Sequence, residues 1–310
     1  MKIAVTGSSG PLGMALNAQR LGDPNQYIFL TSRDVDLTHK AETLRFFKGL
    51  APEVIIHLAA KSGSAQMNQV QPVEMFQENI EMVLNVLAAG REHPVKKILL
   101  CSSTAAYPSN RLRPAKEEDF MEGQPSNSDY PYAYAKRMML PLALAYKKEY
   151  GLEAIVAVVN GIVGPGMHFE PERSAMLAGL IKRFLHAKEK EDLFVYGNGE
   201  PIREYTYSLD LARVLSKFVK IDSLPAIINI GQSNGLRIRQ YAELVCEVLG
   251  LDKKRIIFES SPRSTVSVVY DQTTNNELLF RHMGKDFSFT DIKIAISETI
   301  KWYRGQVEKP

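Results

Sequence analysis

The chain has 310 residues, 45% of them hydrophobic and 24% charged, which is enough apolar material for a sizeable core and carries no signature of disorder. Its 38 basic and 35 acidic residues leave a net charge of +3, too dilute over this length for a phosphate-tracking surface, so no nucleic-acid partner is expected. Cys101 and Cys246 stand far apart, so neither a disulfide framework nor a metal site is expected; with no apolar run long enough to cross a bilayer, the expected setting is a cytoplasm without membrane attachment.

Lys2 to Thr6 predicts a first strand rather than a targeting leader. It runs straight into Gly7-Ser8-Ser9-Gly10-Pro11-Leu12-Gly13 and a helix over Met14 to Arg20, the setting that a dinucleotide-binding turn requires. Glycines there let the backbone approach a pyrophosphate, and the helix N-terminus offers it free N–H groups. Gly7, Ser9, Gly10, Pro11, Leu12 and Gly13 are therefore candidate cofactor contacts, although the spacing is GxxGxxG, not GxGxxG.

A second strand, Gln26 to Thr31, ends just before Arg33 and Asp34. Arginine at this point pairs with the 2′-phosphate of NADP(H), whereas an acid bonds the ribose hydroxyls of NAD; Arg33 favours NADP(H), and Asp34 beside it keeps NAD as the alternative. Asp36 and Leu37 are expected along the adenine. After a third strand, Val54 to Leu58, the small residues Ala59 and Ala60 let backbone pass close to the cofactor, and His57 is expected to be structural.

Helical spacing follows over Val73 to His93 and again over Tyr132 to Tyr150, with strands predicted at Lys97 to Cys101 and Glu153 to Val159. These strands are continuously apolar, as strands covered on both faces must be. The fold class is α/β, a Rossmann-type doubly wound parallel sheet. Beyond it, a loop over Pro165 to Arg173, a helix over Ser174 to Ala187, a strand over Leu193 to Gly199, and the helices Leu236 to Leu249 and Phe289 to Arg304 around a strand at Arg255 to Glu259 make a smaller mixed α/β unit. The expected division is 1–160 for the cofactor, with a return to it over about 200–235, and 161–310 mainly for substrate.

Tyr132 and Lys136 lie one helical turn apart, so an ammonium sits beside a phenol and is expected to lower its pKa. Ser103, at the carboxyl end of the fourth strand, is placed to bond a substrate carbonyl. Together, TGxxGxxG, the Asp36-Leu37 pair, Leu58-Ala59-Ala60, SSxxxYP from Ser102 and YxxxK from Tyr132 resemble the extended short-chain dehydrogenases/reductases over nearly the whole chain.

Within that superfamily, Ser103 to Pro108, Tyr132 to Met138, Asn160 to Pro165 and Gly197 to Tyr205 most resemble the GDP-L-fucose synthase family. The resemblance implies a catalytic triad of Ser103, Tyr132 and Lys136 and NADPH reduction of a 4-keto group on a GDP-linked deoxy sugar. It also implies cofactor contacts at Tyr132, Lys136, Val159 and Ile162, and substrate contacts at Ser103, Thr104, Asn160, Arg183, Tyr196 and Arg203. A homodimer through the two long helices is expected on the same ground.

The chain departs from that family at informative places. The cysteine two residues after the serine is Ala105, and the histidine of the following segment is Ala175, so the resemblance implies reduction without C3 or C5 epimerisation. His168 and Cys101 lie near those positions in sequence. A family lysine is replaced by Val268, which leaves the sugar, hexose or heptose, open. A bifunctional epimerase/reductase, an NAD-dependent 4-epimerase and a non-catalytic NADP-binding sensor are the alternatives; a dehydratase would need carboxylates where Thr104 and Ala105 stand.

Overall fold

The computed structural model describes residues 1–20, 23–93, 95–111, 113–170, 173–259, 271–284 and 286–307. In chain order the first half runs β1 (Lys2–Thr6), α1 (Pro11–Gln19), β2 (Gln26–Leu30), α2 (Lys40–Leu50), β3 (Val54–His57), α3 (Ala65–Val70), α4 (Pro72–Glu92), β4 (Lys97–Ser103), α5 (Tyr130–Arg137), α6 (Met139–Tyr150) and β5 (Ala154–Val159). The second half runs β6 (Gly161–Val163), α7 (Met176–Leu185), β7 (Leu193–Tyr196), β8 (Ile202–Arg203), β9 (Tyr205–Tyr207), α8 (Ser208–Lys220) and β10 (Ile227–Ile230). It ends with β11 (Leu236–Arg237), α9 (Ile238–Leu249), β12 (Ile256–Glu259), α10 (Glu277–Met283) and α11 (Ile292–Val307).

Six strands form one sheet in the order β2-β1-β3-β4-β5-β10, every neighbouring pair parallel. The continuous apolar runs are explained by the two faces they supply. Ile3, Val5, Val54, Ile56, Leu99 and Ile155 enter one core with α1, α8 and α10, while Ala4, Ile55, Ile98, Leu100 and Val156 enter the other with α2, α4 and α6. Each strand interior alternates between two dry cores. A third core gathers α7, β7, β9, α9 and α11 around Ile181, Phe184, Tyr205, Tyr241 and Ile296.

Local chemistry moved several predicted boundaries. The first helix starts at Pro11, not Met14, because proline lacks an N–H that the first turn cannot use anyway. The single helix expected over Tyr132 to Tyr150 is two helices meeting at Met138, since Pro141 offers no N–H to the Arg137 carbonyl. The fourth strand continues to Ser103, and Leu236-Arg237 leaves the helix after it to pair antiparallel with Ile202-Arg203. α8 and β10, which had no counterpart among the predicted elements, return the chain to the main sheet.

The parallel strands all present their carboxyl ends on one edge. Gly7 after β1, Leu58 after β3, Ser103 closing β4 and Asn160 after β5 stand there together, which is the edge where open α/β sheets bind ligands.

Candidate active site

The glycine turn is shaped by contacts that admit no side chain at two of its positions. Gly7 has φ +67°, and a Cβ on it would lie 2.5 Å from the Ala59 nitrogen; one on Gly13 would lie 2.4 Å from the Ser8 Cα. Gly10 differs, for a Cβ there would meet nothing nearer than the Gly7 oxygen at 3.6 Å. Packing does not demand glycine at that point, yet Gly10 faces a cavity walled by Gly7, Ser9, Pro11, Leu12, Gly13, Leu58, Ala59 and Ala60 and, across from them, by Tyr132, Lys136, Val159 and Ile162. A backbone left open beside a helix N-terminus fits a dinucleotide pyrophosphate.

Arg33, Asp36 and Leu37 lie outside that wall. The Asp34 carboxylate closes its own turn, accepting from the Thr31 N–H and hydroxyl at 2.8 Å each, so it is engaged away from any ribose while Arg33 stands exposed beside it. Asp36 is likewise held by Thr38 and His39, and Leu37 is buried in the core. His57 is enclosed, bonded through Nδ1 to the Thr6 hydroxyl at 2.9 Å, and burial pulls its pKa down to about 3.

α5 carries the phenol and ammonium, and β4 fixes where they sit. Ser102 Oγ donates to the Lys136 carbonyl at 3.0 Å, and Lys136 Nζ donates to the Cys101 carbonyl at 2.9 Å. The Arg137 guanidinium ties the same helix to the Ala106 and Gly123 carbonyls at 2.7 Å each. Lys136 Nζ lies 5.7 Å from the centre of the Tyr132 ring, and burial brings its pKa down to about 8.

The expected depression of the phenol is overturned. Enclosure pushes Tyr132 above the ordinary phenol value, with Cys101 and Asp129 adding to the rise, and a hydrogen bond with Ser103 opposes it without prevailing. The ammonium is spent on the Cys101 carbonyl, so burial of the phenol dominates.

Tyr132 also lines a second cavity of about 790 Å³, with Ser103, Thr104, Asn160 and Arg203 in its wall. Ala105 and Ala175 face this space too. His168 does not; it lines the cofactor cavity, its Nδ1 3.8 Å from Glu170. Arg203 enters the wall while its neighbour Glu204 turns inward, accepting from the Ser233 and Thr274 N–H groups at 2.8 Å each. That buried carboxylate clamps two loops behind the site.

The second cavity shares Ser64, Gln66, Ser174 and Met176 with a third, of about 310 Å³, where the Arg183 guanidinium lies 4.9 Å over the Tyr196 ring. Arg183 Nε is buried with no hydrogen-bond partner among the described residues. The three cavities thus run in series from the glycine turn, past Tyr132, to Arg183. Among the described residues no cluster of metal-ligating side chains occurs, and no helix is long and apolar enough to cross a membrane. Val268 lies outside the described residues.

Sequence reading overlooked the α3 wall, Ser64, Gln66, Asn68 and Gln69, and also Asp129. Asp129 stands three residues before Tyr132, a spacing that places both at the entrance of one helix, and this was the available signal.

The turn yields a direct test. Gly10→Ala should leave the melting temperature within about 2 °C yet weaken NADPH binding roughly tenfold or more, whereas Gly13→Ala should cost about 1–3 kcal/mol of stability. Calorimetry and fluorescence titration of both variants check this; equal destabilisation by the two would contradict it.

Known proteins were compared with this site in view. The model of the NAD dependent epimerase/dehydratase family matches residues 3–231. A GDP-L-fucose synthase of Dictyostelium discoideum is 33% identical over 314 residues, covering 99% of this chain and 96% of its own length. A GDP-L-fucose synthetase from Naegleria fowleri, solved bound to NADP, superposes with a TM-score of 0.89 at 28% identity over 99% of this chain and 94% of its own. A GDP-mannoheptose C4 reductase from Campylobacter jejuni, also with NADP bound, shares the fold with a TM-score of 0.84 at 24% identity, covering 98% of each chain. The family match spans most of the chain and the relatives cover it end to end, so the chain belongs to the NAD dependent epimerase/dehydratase family and is an enzyme of its extended short-chain dehydrogenase/reductase type.

Proposed function

We propose that the protein is an NADPH-dependent 4-ketoreductase acting on a GDP-linked 4-keto-6-deoxy sugar, hexose or heptose, without epimerising C3 or C5. The observation that carries this reading is the wall of the middle cavity, where Ser103 and Tyr132 stand together with two alanines, Ala105 and Ala175. Inversion next to a ketone needs a base on one face and an acid on the other, and a methyl group is neither. Reduction needs only the residues that are present.

When bound, NADPH supplies the hydride. Tyr132, held protonated at neutral pH by its enclosure, is the general acid that gives its proton to the carbonyl oxygen. Ser103 donates to the same oxygen and stabilises the charge that develops on it. Lys136, cationic below about pH 8 and fixed on the Cys101 carbonyl, would hold the cofactor ribose beside the phenol.

Gly7, Ser9, Gly10, Pro11, Leu12 and Gly13 would hold the cofactor diphosphate, Leu58, Ala59, Ala60, Val159 and Ile162 would line its path, and Arg33 would meet the 2′-phosphate. Asn160 and Thr104 would hold the sugar, while Arg203, Arg183 and Tyr196 would take the guanosine diphosphate, with Arg183 and Tyr196 already stacked. The 33% identical GDP-L-fucose synthase supports a GDP-linked substrate, and the NADP-bound relative supports the cofactor.

We also infer a homodimer. α4 and α6 leave Val73, Phe76, Leu84, Leu144 and Tyr150 exposed, between 37% and 69% of each surface, and a second copy of the chain would cover them.

Two measurements test these readings. The kcat/KM for ketone reduction should fall above about pH 8 as Lys136 loses its proton, and Tyr132→Phe should lower kcat by roughly 10²- to 10⁴-fold while NADPH still binds. A profile flat to pH 10, or full turnover by the variant, would contradict the assigned roles. Light scattering should give twice the 34.8 kDa chain mass, and a monomer mass would refute the dimer.

A further inference from the structure

The middle cavity holds a carboxylate that the reduction does not use. Among the described residues, Asp129 and Arg203 are the two charged ones in its wall. The other polar side chains there, Gln66, Asn68, Gln69, Thr104, Ser128 and Gln272, can each donate or accept, so they tolerate many partners. An ionised carboxylate accepts only, and so it demands a donor.

The backbone shows why this carboxylate faces the cavity. Asp129 is the N-cap residue of α5, where an aspartate ordinarily accepts from the N–H two or three residues on. Two residues on is Pro131, which has no N–H, and three on is Tyr132, whose N–H goes to Asn68 Oδ1 at 3.4 Å. No capping bond from the Asp129 side chain forms. Among the described residues its hydrogen bond is from the Ser128 hydroxyl at 3.2 Å, which leaves most of its acceptor capacity unfilled in a half-buried position. Asn68 thus takes over the capping of the catalytic helix and frees Asp129 for a ligand.

The chemistry of that ligand follows from the charges. A nucleoside diphosphate is anionic and is repelled by a carboxylate, so the diphosphate belongs with Arg183 and Arg203, and Asp129 meets the uncharged sugar. The donors on such a sugar are its hydroxyls. Asp129 shares the cavity wall with Tyr132 and lies near enough for its charge to act on the phenol, so it borders the space where the ketone would meet Tyr132. In a 4-keto-6-deoxy sugar the one hydroxyl on a carbon next to that ketone is at C3.

We propose that Asp129 reads the C3 hydroxyl of the keto sugar, accepting its hydrogen bond and so selecting substrates that carry it. Enclosure raises the Asp129 pKa while Arg203 opposes the rise, as suits a carboxylate waiting for a donor. The proposal rests on the reductase reading and deepens it. A ketone with hydrogen at C3 leaves the carboxylate unpaired and is rejected.

The test compares GDP-4-keto-6-deoxymannose with its 3-deoxy counterpart on the unaltered enzyme, Asp129→Asn and Asp129→Ala. Asn keeps the size and capping ability of the side chain, and Ala removes the acceptor. The unaltered enzyme should prefer the hydroxylated ketone roughly 10- to 100-fold in kcat/KM. Asp129→Ala should lose most of that preference by slowing on the hydroxylated ketone alone, Asp129→Asn should lose part of it, and inhibition by GDP and binding of NADPH should not change. Equal losses on both ketones in the variants, or weakened GDP inhibition, would overturn the role of Asp129. Turnover of neither ketone by the unaltered enzyme would instead overturn the reductase reading for a hexose substrate, and this proposal with it.

Discussion

The docking of α5 on the carboxyl end of β4 is the contact on which the rest of the site depends. Two reciprocal bonds make it: Ser102 reaches the Lys136 carbonyl and Lys136 reaches the Cys101 carbonyl. They lock a lysine that is 3% exposed, so its ammonium is costly to bury and has few other places to go. That cost fixes the pitch and rotation of the helix, and with them the Tyr132 ring beside Ser103. The same enclosure raises the phenol and lowers the lysine, leaving each group in the state that protonation of a ketone requires near neutrality.

From this point the cavities divide the substrate chemically. The glycine turn and its small neighbours form an uncharged backbone surface for a pyrophosphate, the middle cavity mixes one acid with one guanidinium, and the far cavity offers an aromatic face under Arg183. Glu204, buried behind Arg203, ties together the two loops that carry Ser233 and Thr274 by accepting their N–H groups, and Asn276 adds a bond from the second loop to the Gly231 carbonyl in the first.

Much of this was legible in the sequence because its causes are local. A strand running into GxxGxxG and Pro11 announces a tight glycine turn opening a helix, and the continuous runs in β1, β3, β4 and β5 announce a sheet covered on both faces. The Tyr132 to Lys136 spacing placed the acid and its cation, and the alanines at 105 and 175 proved to face the same cavity. What escaped was set by tertiary context. Pairwise spacing suggested that Lys136 would lower the phenol, but burial, which no local pattern reports, prevails. Leu37 was expected along the adenine and is in the core because the chain turns through the Asp36 side chain before it. Asp129 went unnoticed because its position in the cavity wall depends on tertiary context: the Tyr132 N–H that it would cap goes instead to Asn68 on α3.

The central claim is a reductase that has lost the means to invert its substrate. Incubation with NADPH and GDP-4-keto-6-deoxymannose in heavy water, with absorbance and NMR of the product, tests it most directly. NADPH should be consumed and the product should carry no deuterium at C3 or C5. Deuterium with inversion at either carbon would contradict the account, since it would require an acid and a base where Ala105 and Ala175 stand.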